Sequence, residues 1–140
     1  MSTKILCPVD GTEHCKSAIA LAAQMANAMH GELTLIAVNE LMGGSSIRAG
    51  AAAYVWDEAE IKKVLSEAAN EAKDAGATDL KTVSVKSRDV PRAISFFAED
   101  NGFDHIVIGS SGKGGLKRLM LGSVSHDVVS RAHCPVTISR

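Results

Sequence analysis

No excess of charge of either sign marks this chain: 15 lysines and arginines face 16 aspartates and glutamates, for a formal net charge of -1. A domain that holds nucleic-acid phosphates against salt needs a basic surface, so the balance argues against nucleic acid as a partner. Long apolar runs are missing as well. No stretch reaches the roughly 20 residues that cross a bilayer as a helix. The opening run Ile5-Leu6-Cys7-Pro8-Val9 is too short for a secretory segment and ends in Asp10. The expectation is a cytoplasmic protein with no membrane partner. The 3 cysteines, Cys7, Cys15 and Cys134, include no CxxC pair, and they read as reduced thiols, not as a disulfide framework or a zinc site. His14 beside Cys15 does not make a ligand pair, because adjacent helix residues point in different directions.

What is present is the composition of an ordinary globular domain. With 46% apolar and 22% charged residues in 140 positions, the chain has enough length for one core, and a single domain over residues 1–140 is expected. Strand and helix periods alternate along it. Lys4 to Asp10 predicts a strand, and Cys15 to His30 a helix with Ala18, Ile19, Ala22, Met25, Ala26 and Met29 on its buried stripe. Glu32 to Asn39 predicts a second strand, and Leu41 to Ala53, centred on Gly43-Gly44-Ser45-Ser46, an irregular surface loop. A helix over Asp57 to Ala75 leads to a strand over Leu80 to Lys86, where Val83 and Val85 alternate with polar residues. Val90 to Asp100 predicts a helix, His105 to Ser110 a strand, Ser123 to Ala132 a helix and Pro135 to Ser139 a last strand.

This order implies an α/β fold of right-handed crossovers: an open five-stranded parallel sheet with helices on both faces. The first, second and fourth strands are almost wholly apolar, as doubly buried strands are, whereas the third and fifth alternate like edges. That texture selects the order 3-2-1-4-5 over 2-1-3-4-5. The first and fourth strands are then neighbours from which the chain winds away in opposite directions, and a ligand crevice opens at their carboxyl ends.

The first strand delivers Pro8-Val9-Asp10-Gly11-Thr12 to that crevice, and the fourth delivers Ile108-Gly109-Ser110-Ser111-Gly112. Glycines at 109 and 112 let backbone approach a pyrophosphate, and Gly122-Ser123 opens a helix whose free N–H groups and dipole attract anions, with the Ser123 and Ser125 hydroxyls adding hydrogen bonds. The loop is neither a Walker A motif, which needs G-x-x-x-x-G-K-[ST], nor a G-x-G-x-x-G after the first strand. Lys113, Lys117 and Arg118 either neutralise phosphate or form a solvated face, Lys113 being best placed for the former. Asp10 suits a ligand contact first, with the cap of the helix that follows as the alternative. Adjacent His126 and Asp127 do not cooperate as an acid/base pair, so no catalytic residue is expected.

Gly109, Gly112, Gly122 and Ser123 follow the spacing glycine, two residues, glycine, nine residues, glycine-serine. This resembles the ATP-binding signature of the universal stress protein family. Ile5-Leu6-Cys7-Pro8-Val9-Asp10-Gly11-Thr12 is similar to that family's first strand and His133-Cys134-Pro135-Val136 to its last, so the resemblance covers essentially the whole chain. It implies an adenine nucleotide alpha hydrolase-like fold with the same strand order. By position it implies adenine against Pro8, Val9 and Val38, and Asp10 at the ribose or at nucleotide-bound magnesium. Ile108, Gly109, Ser111, Gly112, Lys113, Gly122, Ser123, Val124 and Ser125 would surround ribose and phosphates, mostly through backbone N–H. Arg88, in Arg88-Asp89-Val90-Pro91, departs from the small turn residue of the family and puts the shape of that loop in question.

Three functions stay open on the sequence. One is a stress-response regulatory protein that binds ATP, ADP or AMP and signals by occupancy. The second is a slow metal-dependent ATPase or phosphotransferase using Asp10, slow because no positioned general base accompanies the loop. The third is an interaction module with an empty crevice. Val136 and Ile138 on an edge strand favour a two-fold homodimer, and the resemblance implies pairing through that strand. Tyr54 and Trp56 border the Gly-rich segment, with core packing of at least one ring expected.

Overall fold

The computed structural model describes residues 2–42, 53–110 and 122–140. In chain order the elements are β1 (Lys4–Pro8), α1 (Lys16–Ala28), β2 (Glu32–Met42), β3 (Ala53–Tyr54), α2 (Glu58–Asp74), β4 (Leu80–Ser87), α3 (Val90–Asp100), β5 (His105–Gly109), α4 (Ser123–Arg131) and β6 (Val136–Ser139). β1 pairs in parallel with β2 and with β5, β2 with β4, and β5 with β6. Counted on these parallel strands alone the order is the expected 3-2-1-4-5. The Leu41 to Ala53 segment departs from expectation at its two ends. Apolar Leu41 and Met42 extend β2, and they pair antiparallel with Tyr54 and Ala53 of β3. Residues 43–52, including the Gly43-Gly44-Ser45-Ser46 centre of the expected loop, lie outside the described residues.

Period-two alternation divides the sheet's side chains between two cores. Ile5, Cys7, Val9, Leu33, Leu35, Ala37 and Val107 meet α1 and α2. Leu6, Ile36, Val38, Ile106 and Ile108 meet α3 and α4 through Ile94, Ala98 and Val128. Each fully buried leucine or isoleucine contributes roughly 1.5–3 kcal/mol, so both helical layers are held by the same few central strands. The edge texture holds too, since Val83 and Val85 of β4 are half-buried between exposed neighbours. Among the described residues no helix is long and apolar enough to cross a membrane.

Local chemistry sets the helix ends. Asp57 and Glu60 form a reciprocal capping box on α2, and Asp89 caps α3 by accepting from the Arg92 N–H at 3.1 Å. Ser87 and Asp89 bond each other across Arg88, so the turn closes with Arg88 exposed to solvent. Met29 is a correction to the expected stripe of α1. The helix ends at Ala28, His30 turns the chain at φ 53, and Met29 is left 46% exposed while Ala23 takes a buried place. Trp56 packs against the α1/α2 core, whereas the ring of Tyr54 is covered by the Lys86 ammonium at 4.9 Å.

Candidate functional site

The crevice begins with a proline. The Val9 N–H donates to the Ile36 carbonyl of β2 at 2.9 Å. Successive strand N–H groups point to opposite sides, so position 8 would donate toward β5, and proline has nothing to donate. The β1–β5 ladder accordingly runs only through Ile5 with His105 and Leu6 with Ile106. β5 stays paired with its other neighbour from Ile106 to its end, where the Ser110 N–H donates to the Ser139 carbonyl at 2.8 Å.

The end of β5 is tied directly to the start of α4. The Gly122 N–H donates to the Ser110 carbonyl at 2.6 Å, and the Ser125 hydroxyl donates to the Gly109 carbonyl at 2.5 Å. Gly122 is the N-cap of α4, and among the described residues no side chain caps the helix. The first intrahelical donor is His126, bonded to the Gly122 carbonyl at 2.9 Å. The amides of Ser123, Val124 and Ser125 therefore have no acceptor within the helix, and the positive end of its dipole points the same way. An anion is the chemistry such a terminus accepts.

Several of the singled-out residues are placed differently from a simple ring around a ligand. Val38 and Ile108 share the α3/α4 side of the sheet, to which alternation from Leu6 also assigns Pro8, but the Val9 side chain belongs to the opposite core. Val9 can therefore face a crevice ligand only through its backbone. Ser125 is buried and spends its hydroxyl inside the frame, which leaves its amide toward the helix tip. Ser123 is exposed, and its hydroxyl is available. Ser111, Gly112 and Lys113, with Lys117 and Arg118, lie outside the described residues.

Asp10 is not a helix cap. Its Oδ1 accepts from the Thr12 N–H at 3.0 Å and the Thr12 hydroxyl at 2.6 Å, closing a turn on its own loop. The Cys15 thiol donates to the same oxygen at 2.8 Å. Sequence reasoning missed this cluster, although an aspartate followed two residues later by threonine is the signature of such a turn. It also missed Asn39, whose buried amide bonds both backbone groups of Trp56, at 2.8 and 3.0 Å, and so fixes where the chain returns beside β2.

Burial, and then the Asp10 charge, push the Cys15 thiol up to about 12, and burial also raises Cys7 and Cys134. The thiolate is the nucleophile, so iodoacetamide at pH 8 is expected to modify half-buried Cys134 well before Cys7 or Cys15. Peptide mass spectrometry after timed quenching reads the order. Labelling of Cys15 as fast as Cys134 would contradict the hydrogen-bonded, protonated thiol.

A family model described as the universal stress protein family matches residues 1–140. Universal stress protein YxiE of Bacillus subtilis is 31% identical, over 100% of this chain and 100% of that one. Universal stress protein Rv2005c of Mycobacterium tuberculosis is 40% identical over 89 residues, which are 60% of this chain and only 29% of that longer protein. Among solved structures, a universal stress protein in complex with cAMP superposes with a TM-score of 0.74 at 26% identity, covering 99% of this chain and 96% of that one.

Proposed function

Because the chain belongs to the universal stress protein family, we propose that it is an adenine-nucleotide-binding regulatory protein of the cytoplasm, with ATP as its ligand. The observation that carries this reading is the bond from the Gly122 N–H to the Ser110 carbonyl. It holds the tip of α4, which no described side chain caps, at the end of β5, and polyphosphate is the ligand class suited to the amides of a helix start. Pro8, Val38 and Ile108 supply an apolar side for adenine, and Asp10 is the acceptor for ribose hydroxyls. The relative solved with cAMP supports the choice of an adenine ring. Ser111, Gly112 and Lys113 complete the phosphate side in this proposal.

Among the described residues no group of three metal-ligating side chains occurs. Magnesium would arrive on the phosphates, where Asp10 is its protein carboxylate if the ribose does not take it, and one acceptor without a partner base supports occupancy signalling over rapid turnover. A second copy pairs along β6, which has β5 on one side and no strand on the other among the described residues.

Titration calorimetry of the purified protein with magnesium-ATP is the test. The expected result is saturable binding at one site per chain, from a sample that sediments at the mass of two chains. A silent titration of protein shown free of carried-over nucleotide would reject the ligand. A one-chain mass would reject the pairing alone.

A further inference from the structure

We propose that Cys15 is a positioning residue that, together with Thr12, locks the Asp10 carboxylate in one orientation and leaves its second oxygen for the ligand. The proposal rests on the adenine-nucleotide reading of the crevice and adds to it a residue that touches no ligand.

Oδ1 of Asp10 receives three donors, the Thr12 N–H, the Thr12 hydroxyl and the Cys15 thiol. Its lone pairs are fully engaged. Oδ2 receives no hydrogen bond among the described residues, and Asp10 is only half-buried, so this oxygen is the carboxylate's open acceptor. The thiol also works in the other direction, since the Asp10 N–H donates to the Cys15 sulfur at 3.3 Å. One side chain therefore refers both the backbone and the carboxylate of Asp10 to the same anchor. That anchor does not move with the loop, because Cys15 is 7% exposed and packed in the α1/α2 core. The turn between them is built on Gly11, whose φ of +80 suits glycine and where an added Cβ would lie 3.1 Å from a Val64 methyl of α2.

The thiol remains a donor throughout the neutral range, because burial holds it protonated. Serine at the same place also donates, whereas alanine cannot. A carboxylate released from this lock must be ordered when ligand binds, which costs about three- to tenfold in affinity for one immobilised side chain.

The experiment is a double-mutant cycle read by magnesium-ATP calorimetry on wild type, Cys15→Ala, Asp10→Ala and the double variant, with Cys15→Ser as the rescue. The expected result is a loss of about fivefold for Cys15→Ala, binding restored by Cys15→Ser, and no further loss when Cys15→Ala is added to Asp10→Ala. The infrared S–H band that disappears in Cys15→Ala should shift toward the free-thiol frequency in Asp10→Ala, a readout that needs no nucleotide. Should Cys15→Ala not fold, Thr12→Val removes another donor to the same oxygen and enters the cycle in its place. Additive losses, or a serine variant as weak as alanine, overturn the positioning role while wild-type binding stands. A wild type that binds no ATP removes the ligand the carboxylate is held for and overturns both readings.

Discussion

Gly122→Val is expected to bind magnesium-ATP at least about tenfold more weakly than wild type, a loss of roughly 1.4 kcal/mol, while keeping its fold. Gly122 sits at φ -66 and ψ 160, an extended conformation that valine adopts without strain. Its backbone bonds, N–H to the Ser110 carbonyl and carbonyl from the His126 N–H, survive the change. Replacing a glycine cap by valine costs about 1 kcal/mol of stability, so the unfolding transition should remain cooperative and close to that of wild type. What changes is the space before the amides of Ser123, Val124 and Ser125. A branched side chain there keeps phosphate oxygens from reaching N–H groups that must lie within about 3 Å to bond. Calorimetry and a thermal melt on the same preparation separate the two effects. Wild-type affinity in Gly122→Val would move the phosphates away from α4.

Gly31→Ala is expected to have the largest effect on stability, about 3 kcal/mol, or a fall of roughly 10 °C in Tm. A Cβ at Gly31 would lie 2.3 Å from the Thr3 carbonyl oxygen and 3.1 Å from both the Thr3 carbonyl carbon and its Cβ. That oxygen is fixed, because it accepts the Glu32 N–H at 2.8 Å where β2 begins beside β1. The glycine is fixed too, its own N–H bonded to the Ala26 carbonyl at the end of α1. Relief requires backbone to move at the seam of two central strands, not a side chain to rotate. Gly102→Ala is the control. Gly102 has φ +67 but nothing within 4 Å of an added Cβ, so it should cost only the roughly 1–2 kcal/mol of a left-handed residue. Denaturant melts of both variants give the order, and a Gly31→Ala midpoint above that of Gly102→Ala would refute the close approach.

The parts of this fold that were legible in advance are those governed by burial. Leu33 to Val38 is apolar on both faces but for Thr34, and Val83 and Val85 give the third strand one apolar face, because the interior of a sheet and its edge impose different solvents. Strand order followed from that contrast. Less legible was whatever depends on hydrogen-bond geometry between distant residues. Leu41 and Met42 carry no alternation, and only pairing with Tyr54 and Ala53 makes them strand. Met29 continues the α1 period in sequence, yet the helix stops one residue before it. At the site, glycine spacing indicated where β5 ends and α4 begins. It did not indicate that Ser125 turns inward to Gly109, nor that Val9 and Val38 face opposite cores. Cys15 read only as a reduced thiol because its partner, Asp10, is assigned by a turn and not by a period.

The proline at position 8 has one more consequence. Since its ring nitrogen carries no hydrogen, one donor that could stitch the two middle strands together is missing by covalent structure, whatever the temperature or solvent. A molecule settling into that gap breaks no existing bond of the sheet. The missing donor is thus a permanent property of the folded chain, the same before a guest arrives and after it leaves.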